Sequence, residues 1–281
     1  NADQTDKIHA AIEKLASGET SYKVDVNDFS SLEAELAEGL NRISDGLETA
    51  LAEQVKSERL KADLITNVSH DIKTPLTSII NYVDLIKRQH IEDPTVQKYL
   101  EVLDQKSQRL KTLTEDLVEA SRASSGNIKL EITNIDFVEL VQQTTGEFEE
   151  KYAIRHLEIV NTLPNEVIMI EADGRRLWRV LENLYNNAFK YALEGTRVYV
   201  TIEDHGADVV FTIKNVSANP LNISPDELTE RFVRGDVSRT TEGSGLGLSI
   251  AKDLTTLQGG KFELIIDGDL FKAQITFPIK N

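Results

Sequence analysis

The sequence predicts a multidomain protein in which an all-α coiled-coil and four-helix-bundle region precedes an α+β two-layer sandwich. Three observations support this fold class. The chain has 281 residues, more than a typical single domain. Apolar residues follow a helical or heptad spacing up to about residue 120, and after Gly126 the pattern changes to a mixture of strands and helices. We place the domains at 1–56, 57–124 and 125–281.

The composition excludes several functional classes. The formal net charge is −16 and no basic stripe is present, which argues against nucleic acid or an anionic membrane surface as the main ligand. The chain has no cysteine, so disulfides and thiolate metal sites are excluded. No apolar run reaches the roughly 18 residues that cross a bilayer.

The first predicted domain consists of two amphipathic helices around an extended connector. The first helix ends near Gly18, and apolar residues alternate with polar ones in the connector, at Tyr22, Val24 and Val26. One stripe of the second helix holds Leu32, Leu36, Leu40, Ile43, Leu47 and Leu51. Neither helix can bury its apolar face alone, so we expect a coiled-coil spacer in a dimer.

The second predicted domain is a helical hairpin. A helix continues from about Ser57 to Arg88, with a heptad seam at Ile72, Leu76, Ile79, Val83 and Ile86. The segment "HIEDPT" (90–95) interrupts it. A second helix then places an apolar series at 3–4 spacing, broken by one lysine: Val96, Tyr99, Leu103, Lys106, Leu110, Leu113, Leu117 and Ala120. Two such chains would form a four-helix bundle, and "SRASSGN" (121–127) is the expected linker.

Strand-like and helical segments alternate in the third predicted domain. The expected helices occupy 136–151, 173–192 and 245–258. The expected strands are "IKLEIT" (128–133), "RHLEIVNTL" (155–163), "EVIMIE" (166–171), "RVYVTIED" (197–204), "DVVFTIKNV" (208–216), "KFELIID" (261–267) and "FKAQITF" (271–277).

His70, Asp71 and Pro75 stand together in the middle of the long helix. With Leu76 at heptad position a, His70 and Asp71 face outward, and Thr74 lies one turn from His70 on the same face. Pro75 cannot donate to the carbonyl of Asp71, so we expect a bend that costs about 3 kcal/mol in an ordinary helix interior. A lone histidine in a helix is usually a packing residue, but here the seam places it in solvent. Such an imidazole can attack an electrophile, and the neighbouring carboxylate can accept its proton.

Two patterns in the C-terminal domain indicate a phosphate-binding site. "GSGLGLSI" (243–250) places glycines ahead of an apolar helix, where backbone amides suit a polyphosphate. In "LENLYNNAFKYA" (181–192), Asn183, Asn187 and Lys190 share one helical face, although asparagine is a poor helix former. The ordinary alternatives are a connecting turn and a solvated helix face. No GxxxxGK[ST] or GxGxxG motif is present, which disfavours Walker-type and dinucleotide sites.

"SHDIKTPLTSI" (69–79) resembles the H-box of sensor histidine kinases. The two C-terminal patterns resemble the N-box and G2-box of the ATP lobe shared by histidine kinases, the heat-shock-90 family, gyrase and mismatch-repair ATPases. The resemblance implies that ATP phosphorylates His70 and that Asp71 is the base. It implies that Thr74 positions water when the protein dephosphorylates its partner, the receiver domain of a response regulator.

The same resemblance implies a site for ATP and Mg²⁺. Asn187 would coordinate Mg²⁺ with support from Asn183, Lys190 would meet phosphate, and Tyr191 would flank the nucleotide. "TERFVRGDVSRT" (229–240) is similar to an F-box and ATP lid, with Phe232 packing on the lid and Arg234 near phosphate. The glycine-rich loop would contribute Gly243, Ser244, Gly245, Leu246 and Gly247.

One position departs from the family pattern. The family has an aspartate that accepts a hydrogen bond from the adenine amino group, and the family spacing places Asn215 there, with Ser217 and Asn219 in place of glycines. An amide oxygen can accept this bond without charge, at a loss of about 1 kcal/mol. We therefore expect weakened but retained nucleotide binding.

The stretch 8–54 is similar to a HAMP relay domain, with "LNRI" (40–43) in its second helix. HAMP domains follow a transmembrane helix, so the resemblance implies the cytoplasmic portion of a dimeric bacterial membrane protein. The predicted function is that of a sensor histidine kinase, which autophosphorylates from ATP and passes the phosphoryl group to a response regulator. The alternatives are a protein biased towards phosphatase activity and a scaffold with a vestigial ATP lobe. The intact glycine loop, Asn187 and Lys190 favour activity.

Overall fold

The structure, a computed structural model, describes residues 2–29, 31–89, 91–126, 128–230 and 244–280. The chain divides into two compact units, Asn1–Leu64 and Ile65–Asn281. Within the described ranges, no helix is both long and apolar enough to cross a membrane.

The first unit contains helix α1 (Ala2–Ala16), a 3-10 helix (Val26–Asp28) and the beginning of helix α2 (Ser31–Lys87). Gly18 follows α1 with a φ of +98°, a conformation that favours glycine. The connector forms no strand, but its alternate residues do turn inward: Val24 is buried with Ala11 and Ala37, and Tyr22 packs beside them.

The described residues of the connector form backbone hydrogen bonds with side chains of α2 and not with a neighbouring strand. The amide of Asn41 accepts from the backbone N–H of Val24 and donates to its carbonyl, both at 2.9 Å. Most of the predicted leucine stripe of α2 faces solvent in the single chain, where Leu36 is 57% and Ile43 59% exposed, but Leu40 packs against the buried cluster.

The helical hairpin is confirmed. Helix α2 continues through Pro75 to Lys87, and helix α3 spans Pro94–Ser124. Asp93 caps α3 by accepting from the N–H groups of Thr95 and Val96 at 2.7 and 3.3 Å. The predicted linker at 121–127 is wrong in its first half, because α3 continues to Ser124. Ala120 and Ala123 of α3 belong to the hydrophobic core of the following domain, and this packing favours a helix that continues through the predicted linker to Ser124.

The hairpin buries residues seven apart on each helix. Ser69, Leu76 and Val83 are buried on α2, and Leu100, Ser107 and Thr114 on α3. The other half of the predicted seam faces outward in the single chain: Ile79 is 47% and Leu103 50% exposed. An ion pair between Lys87 and Asp104 links the two helices near the turn.

The remaining chain forms an α/β domain with a five-stranded sheet. Its elements are β1 (Thr133–Asp136), α4 (Phe137–Ala153), β2 (Glu158–Thr162), β3 (Met169–Ala172), α5 (Gly174–Tyr191), β4 (Arg197–Asp204), β5 (Asp208–Val216), α6 (Pro225–Leu228), α7 (Gly247–Leu257), β6 (Lys261–Asp267) and β7 (Leu270–Pro278). The strand order is β2-β4-β5-β7-β6, with β2 parallel to β4 and the other neighbours antiparallel. Strands β1 and β3 form a separate antiparallel pair.

The core lies between one face of this sheet and the helices, as a two-layer sandwich requires. Period-two alternation in β4, β5 and β7 sends one set of side chains inward, among them Val200, Phe211 and Ile275, all fully buried. Helices α5 and α7 cover them with Leu181 and Ile250, also fully buried.

The predicted strand at 128–133 is wrong for residues 128–132. The N–H of Glu131 donates to the carboxylate of Asp173 at 2.9 Å, so a side chain takes the place of a strand partner. Strand pairing begins only at Thr133, which lies opposite Ala172.

Candidate functional site

His70 and Asp71 project from α2 into solvent. Their side chains are 82% and 86% exposed, and His70 Nδ1 lies 3.9 Å from Asp71 Oδ1. Thr74 Oγ1 is 3.5 Å from the His70 carbonyl, one turn along the helix. The outward placement agrees with the heptad assignment, and an imidazole in this position is accessible to an approaching phosphoryl donor.

A cavity of about 210 Å³ lies in the α/β domain beside α3. Most of the polar part of its wall comes from four places in the chain. These are α3 (Thr112, Asp116), the polar face of α5 (Asn183, Asn186, Asn187, Lys190, Tyr191), the segment from the end of β5 (Asn215, Ser217, Asn219) and the entry to α7 (Ser244, Gly245, Gly247). The structure thus brings together most of the nucleotide residues predicted from sequence.

Helix α5 presents its amides to the cavity because its opposite face is apolar and buried. Leu177, Leu181 and Leu184 are fully buried in the core. Asn183 Nδ2 is buried and has no hydrogen-bond partner within the described part of the chain. A Cβ added to Gly247 would lie 3.2 Å from Asn183 Oδ1, so the helices approach closely here because residue 247 is glycine.

The entry to α7 is a tight turn. Gly245 has a φ of +72°, and the hydroxyl of Ser244 accepts from the N–H of Leu246 at 3.2 Å. Leu246 is 1% exposed and belongs to the hydrophobic core. It therefore anchors the loop, a packing role that differs from the direct nucleotide contact expected for it.

Asn215, near the end of β5, also lines the cavity. Its side chain is 2% exposed, and Nδ2 donates to the carbonyl of Val216 at 3.2 Å. Oδ1 is buried and has no partner among the residues that the structure describes. A buried acceptor without a donor is costly, so this oxygen is suited to a ligand N–H.

Three predicted residues lie outside the described residues: Phe232, Arg234 and Gly243 of the lid and glycine-rich segments. The described residues contain no group of three His, Asp or Glu side chains that could hold a metal ion. Amide oxygens are acceptable ligands for Mg²⁺ when phosphates and water complete the coordination. Asn187 and Asn183 therefore fit the predicted metal, and the partnerless amide of Asn183 fits a polar ligand.

The sequence argument did not find the contribution of α3. Asp116 Oδ1 lies 2.5 Å from Arg179 of α5, and Asp116 Oδ2 accepts from the hydroxyl of Ser244 at 3.0 Å. Glu119 accepts from Arg176 at 3.0 Å and from Arg179 at 2.8 Å. A signal was present in the i, i+3 spacing, which places two acids on one face of α3 and two arginines on one face of α5.

Burial dominates the electrostatics of this contact. It raises the pKa of the Asp116 carboxyl, against the opposing effects of Arg179 and Ser244. Desolvation alone would lower the pKa of Arg179, but hydrogen bonds and charge from Glu182 and Glu119 outweigh it and raise that pKa. Arg179 therefore stays charged and links α3 to α5.

An outward histidine on a helical hairpin, followed by a two-layer sandwich with an amide- and glycine-lined cavity, defines a class of ATP-dependent histidine phosphotransfer proteins. Comparisons with known proteins agree with this class. The model of the His Kinase A (phospho-acceptor) domain matches residues 60–126, and that of the histidine kinase-, DNA gyrase B- and HSP90-like ATPase matches 172–280.

The chain is 28% identical over 237 residues to the sensor histidine kinase WalK of Bacillus subtilis (strain 168), covering 82% of this chain and 39% of WalK. The crystal structure of histidine kinase ThkA in complex with response regulator protein TrrA is 25% identical, with a TM-score of 0.55, over 84% of this chain and 67% of that one. Full-length ShkA in complex with AMPPNP shares the fold, with a TM-score of 0.67 at 23% identity, over 78% of this chain and 46% of that one.

The chain belongs to the sensor histidine kinases of two-component systems. It spans about two-fifths of the length of the curated relatives that it matches first, 39% of WalK and 44% of the mycobacterial MtrB kinases.

Proposed function

We propose that this chain is a kinase core that transfers the γ-phosphoryl group of ATP to His70 and then to an aspartate of a response-regulator receiver domain. The observation that carries the proposal is the exposed His70, within the segment that matches a phospho-acceptor domain, in the same chain as an ATPase-type cavity.

In the proposed reaction, an imidazole nitrogen of His70 attacks the γ-phosphorus. A nitrogen–phosphorus bond forms, the bond from the γ-phosphorus to its bridging oxygen breaks, and ADP leaves. Asp71 accepts the proton that the imidazole releases, either directly or through water, since the two groups are 3.9 Å apart. When the protein instead dephosphorylates the regulator, Thr74 orients the water that hydrolyses the phosphoryl group from the regulator's aspartate.

The nucleotide is proposed to lie along the cavity with its base at Asn215 and its phosphates at the entry to α7. Asn215 Oδ1 would accept from the exocyclic amine of adenine, and Tyr191 would flank the nucleotide. Lys190, the loop from Ser244 to Gly247 and Arg234 would meet the phosphates, and Phe232 would pack on the lid. Mg²⁺ at Asn187, with Asn183 in support, would neutralise part of the phosphate charge.

The partners follow from the family and from exposed surfaces. The relative ThkA has been solved with a response regulator, which supports a receiver domain as the phosphoryl acceptor. Exposed apolar residues on α2 and α3, such as Ile79 and Leu103, support a homodimer through a four-helix bundle. A HAMP-like relay over 8–54 supports a membrane anchor N-terminal to it.

A second candidate is a phosphatase-biased kinase. The neutral Asn215 favours it, because a weaker base contact lowers ATP occupancy.

The test is incubation of the purified chain with γ-labelled ATP and Mg²⁺. We expect an acid-labile, base-stable label that is lost in His70→Gln. His205→Gln is the matched control, since His205 lies in a turn after β4 and pairs with Glu203 at 3.3 Å. Label that persists in His70→Gln would refute the proposal. Release of inorganic phosphate from a phosphorylated regulator, without autophosphorylation, would support the phosphatase-biased alternative.

A further inference from the structure

The last turn of α5 holds three cavity residues and ends without a glycine. Asn187, Lys190 and Tyr191 belong to this turn. Ala192 follows in an extended conformation, with a φ of −64° and a ψ of 144°. The last four carbonyls of the helix, from Ala188 to Tyr191, therefore need donors from elsewhere.

All four carbonyls have donors, and Arg155 supplies two of them. The N–H of Ala192 bonds the Ala188 carbonyl at 2.9 Å. The N–H of Ala218 bonds the Tyr191 carbonyl at 2.8 Å. Arg155 Nη1 donates to the carbonyls of Phe189 and Lys190, the latter at 3.0 Å, and its Nη2 donates to Ala192 O at 3.0 Å.

The end of α4 positions this guanidinium. Helix α4 ends at Ala153, and the chain reverses through His156, which has a φ of +53°. The guanidinium carbon of Arg155 lies 5.7 Å from the centroid of the Phe189 ring, a cation–π contact with the same turn. A cation at a helix C-terminus also complements the helix dipole.

Other bonds from α4 attach the preceding turn of α5. The hydroxyl of Tyr152 donates to the Tyr185 carbonyl, and Lys151 Nζ donates to Asn186 Oδ1, both at 2.6 Å. These bonds hold the body of the helix, and Lys151 and Tyr152 also contact the ring of Phe189 in the final turn. Among the described residues on this side of α5, it is Arg155 whose guanidinium donates to carbonyls of that turn.

We infer that Arg155 is a positioning residue for the MgATP site: its guanidinium fixes the turn that carries Asn187, Lys190 and Tyr191. The inference rests on the proposed function, because it assigns these three residues to the nucleotide. Arg155 itself does not line the cavity. A lysine has a single ammonium group and cannot reproduce a planar fork that reaches three carbonyls.

The experiment compares Arg155→Gln and Arg155→Lys with the unchanged chain in autophosphorylation kinetics and in nucleotide binding by calorimetry. We expect Arg155→Gln to raise the KM for MgATP and to shift the Mg²⁺ dependence, with kcat/KM falling about 10- to 100-fold. Arg155→Lys should recover only part of this loss. Hydrogen exchange at the amide of Ala192, which closes the turn, should accelerate in both variants.

Arg197→Gln is the matched control, since Arg197 is an exposed arginine on β4 that pairs with Glu158 at 3.3 Å on β2. It should leave both KM and exchange unchanged. If Arg155→Gln lowers the melting temperature but keeps the KM, Arg155 is only structural and the inference is overturned. If Arg155→Gln does not fold, Arg155→Lys decides by the same measurements. If the unchanged chain binds no nucleotide, the proposed function fails first, and the inference fails with it.

Discussion

Replacing Asn215 by aspartate tests how the cavity recognises a base. In the structure Asn215 Nδ2 donates to the Val216 carbonyl at 3.2 Å, which leaves Oδ1 as the acceptor without a partner. The substitution Asn215→Asp converts this neutral acceptor into a charged one. It also replaces the Nδ2 donor by an oxygen that faces the Val216 carbonyl.

The two consequences have opposite signs. A hydrogen bond to a charged group contributes about 1.5–3 kcal/mol and a neutral one about 1, so ATP should bind about 1 kcal/mol more tightly, roughly five-fold. Without nucleotide, the variant loses the bond to Val216 and buries a charge at a position that is 2% exposed. We therefore expect the free protein to lose about 1–3 kcal/mol of unfolding free energy.

Calorimetric titration with ATP and GTP gives a test of sign. GTP presents a carbonyl where ATP presents an amine, so its binding should weaken in Asn215→Asp while that of ATP strengthens. Asn161→Asp, at an exposed position in β2, adds the same charge away from the cavity and controls for net charge. Equal shifts for ATP and GTP would show that Asn215 does not contact the base.

Three further predictions concern the proposed site. Thr74→Ala should slow dephosphorylation of the regulator and spare phosphorylation of His70, because the hydroxyl has no part in attacking ATP; equal loss in both assays would indicate a structural role beside Pro75. Asn187→Ala should abolish phosphorylation through loss of Mg²⁺ with unchanged far-UV circular dichroism, and an unfolded spectrum would instead make Asn187 a packing residue. Burial raises the pKa of Asp116, so the folded state binds the proton more tightly than the unfolded state, and the associated stability is lost as the pH rises through the raised pKa. Asp116→Asn should therefore gain on the unchanged chain in urea unfolding midpoints as the pH rises above about 4, the ordinary pKa of an aspartate, and a constant difference would refute this.

The sequence predicted the bounds of strands accurately where one face of the strand is buried and the other is more exposed to solvent. The bounds of β4, β5 and β6 match the predicted segments to the residue, because alternating burial leaves a period-two pattern. The same alternation in 128–132 misled the prediction. A strand also needs a partner for its backbone, and there the carboxylate of Asp173 takes that role at Glu131.

The residues of the candidate site were also predicted only in part from the sequence. Residues with a distinctive chemical type at helical spacing, such as Asn183, Asn187 and Lys190, were predicted and lie together in the cavity. Asp116 and Arg155 were not predicted, because each acts through contacts with a segment distant in sequence. The i, i+3 spacing of Asp116 and Glu119 is common on solvated helix faces, and Arg155 is an ordinary turn residue directly after α4, so neither pattern alone indicates a contact with a distant segment.

The ion network between α3 and α5 also constrains the order in which its residues can be replaced. Arg179 contacts Asp116, Glu119 and Glu182 at 2.5–2.8 Å, and their side chains are only 12%, 16% and 22% exposed. Losing Arg179 first leaves three mostly buried carboxylates without their shared cation, with Arg176 remaining as a partner for Glu119. Losing an acid first leaves the arginine with two partners. Divergence at this contact should therefore proceed through the acids, and the effects of substitution should be strongly non-additive.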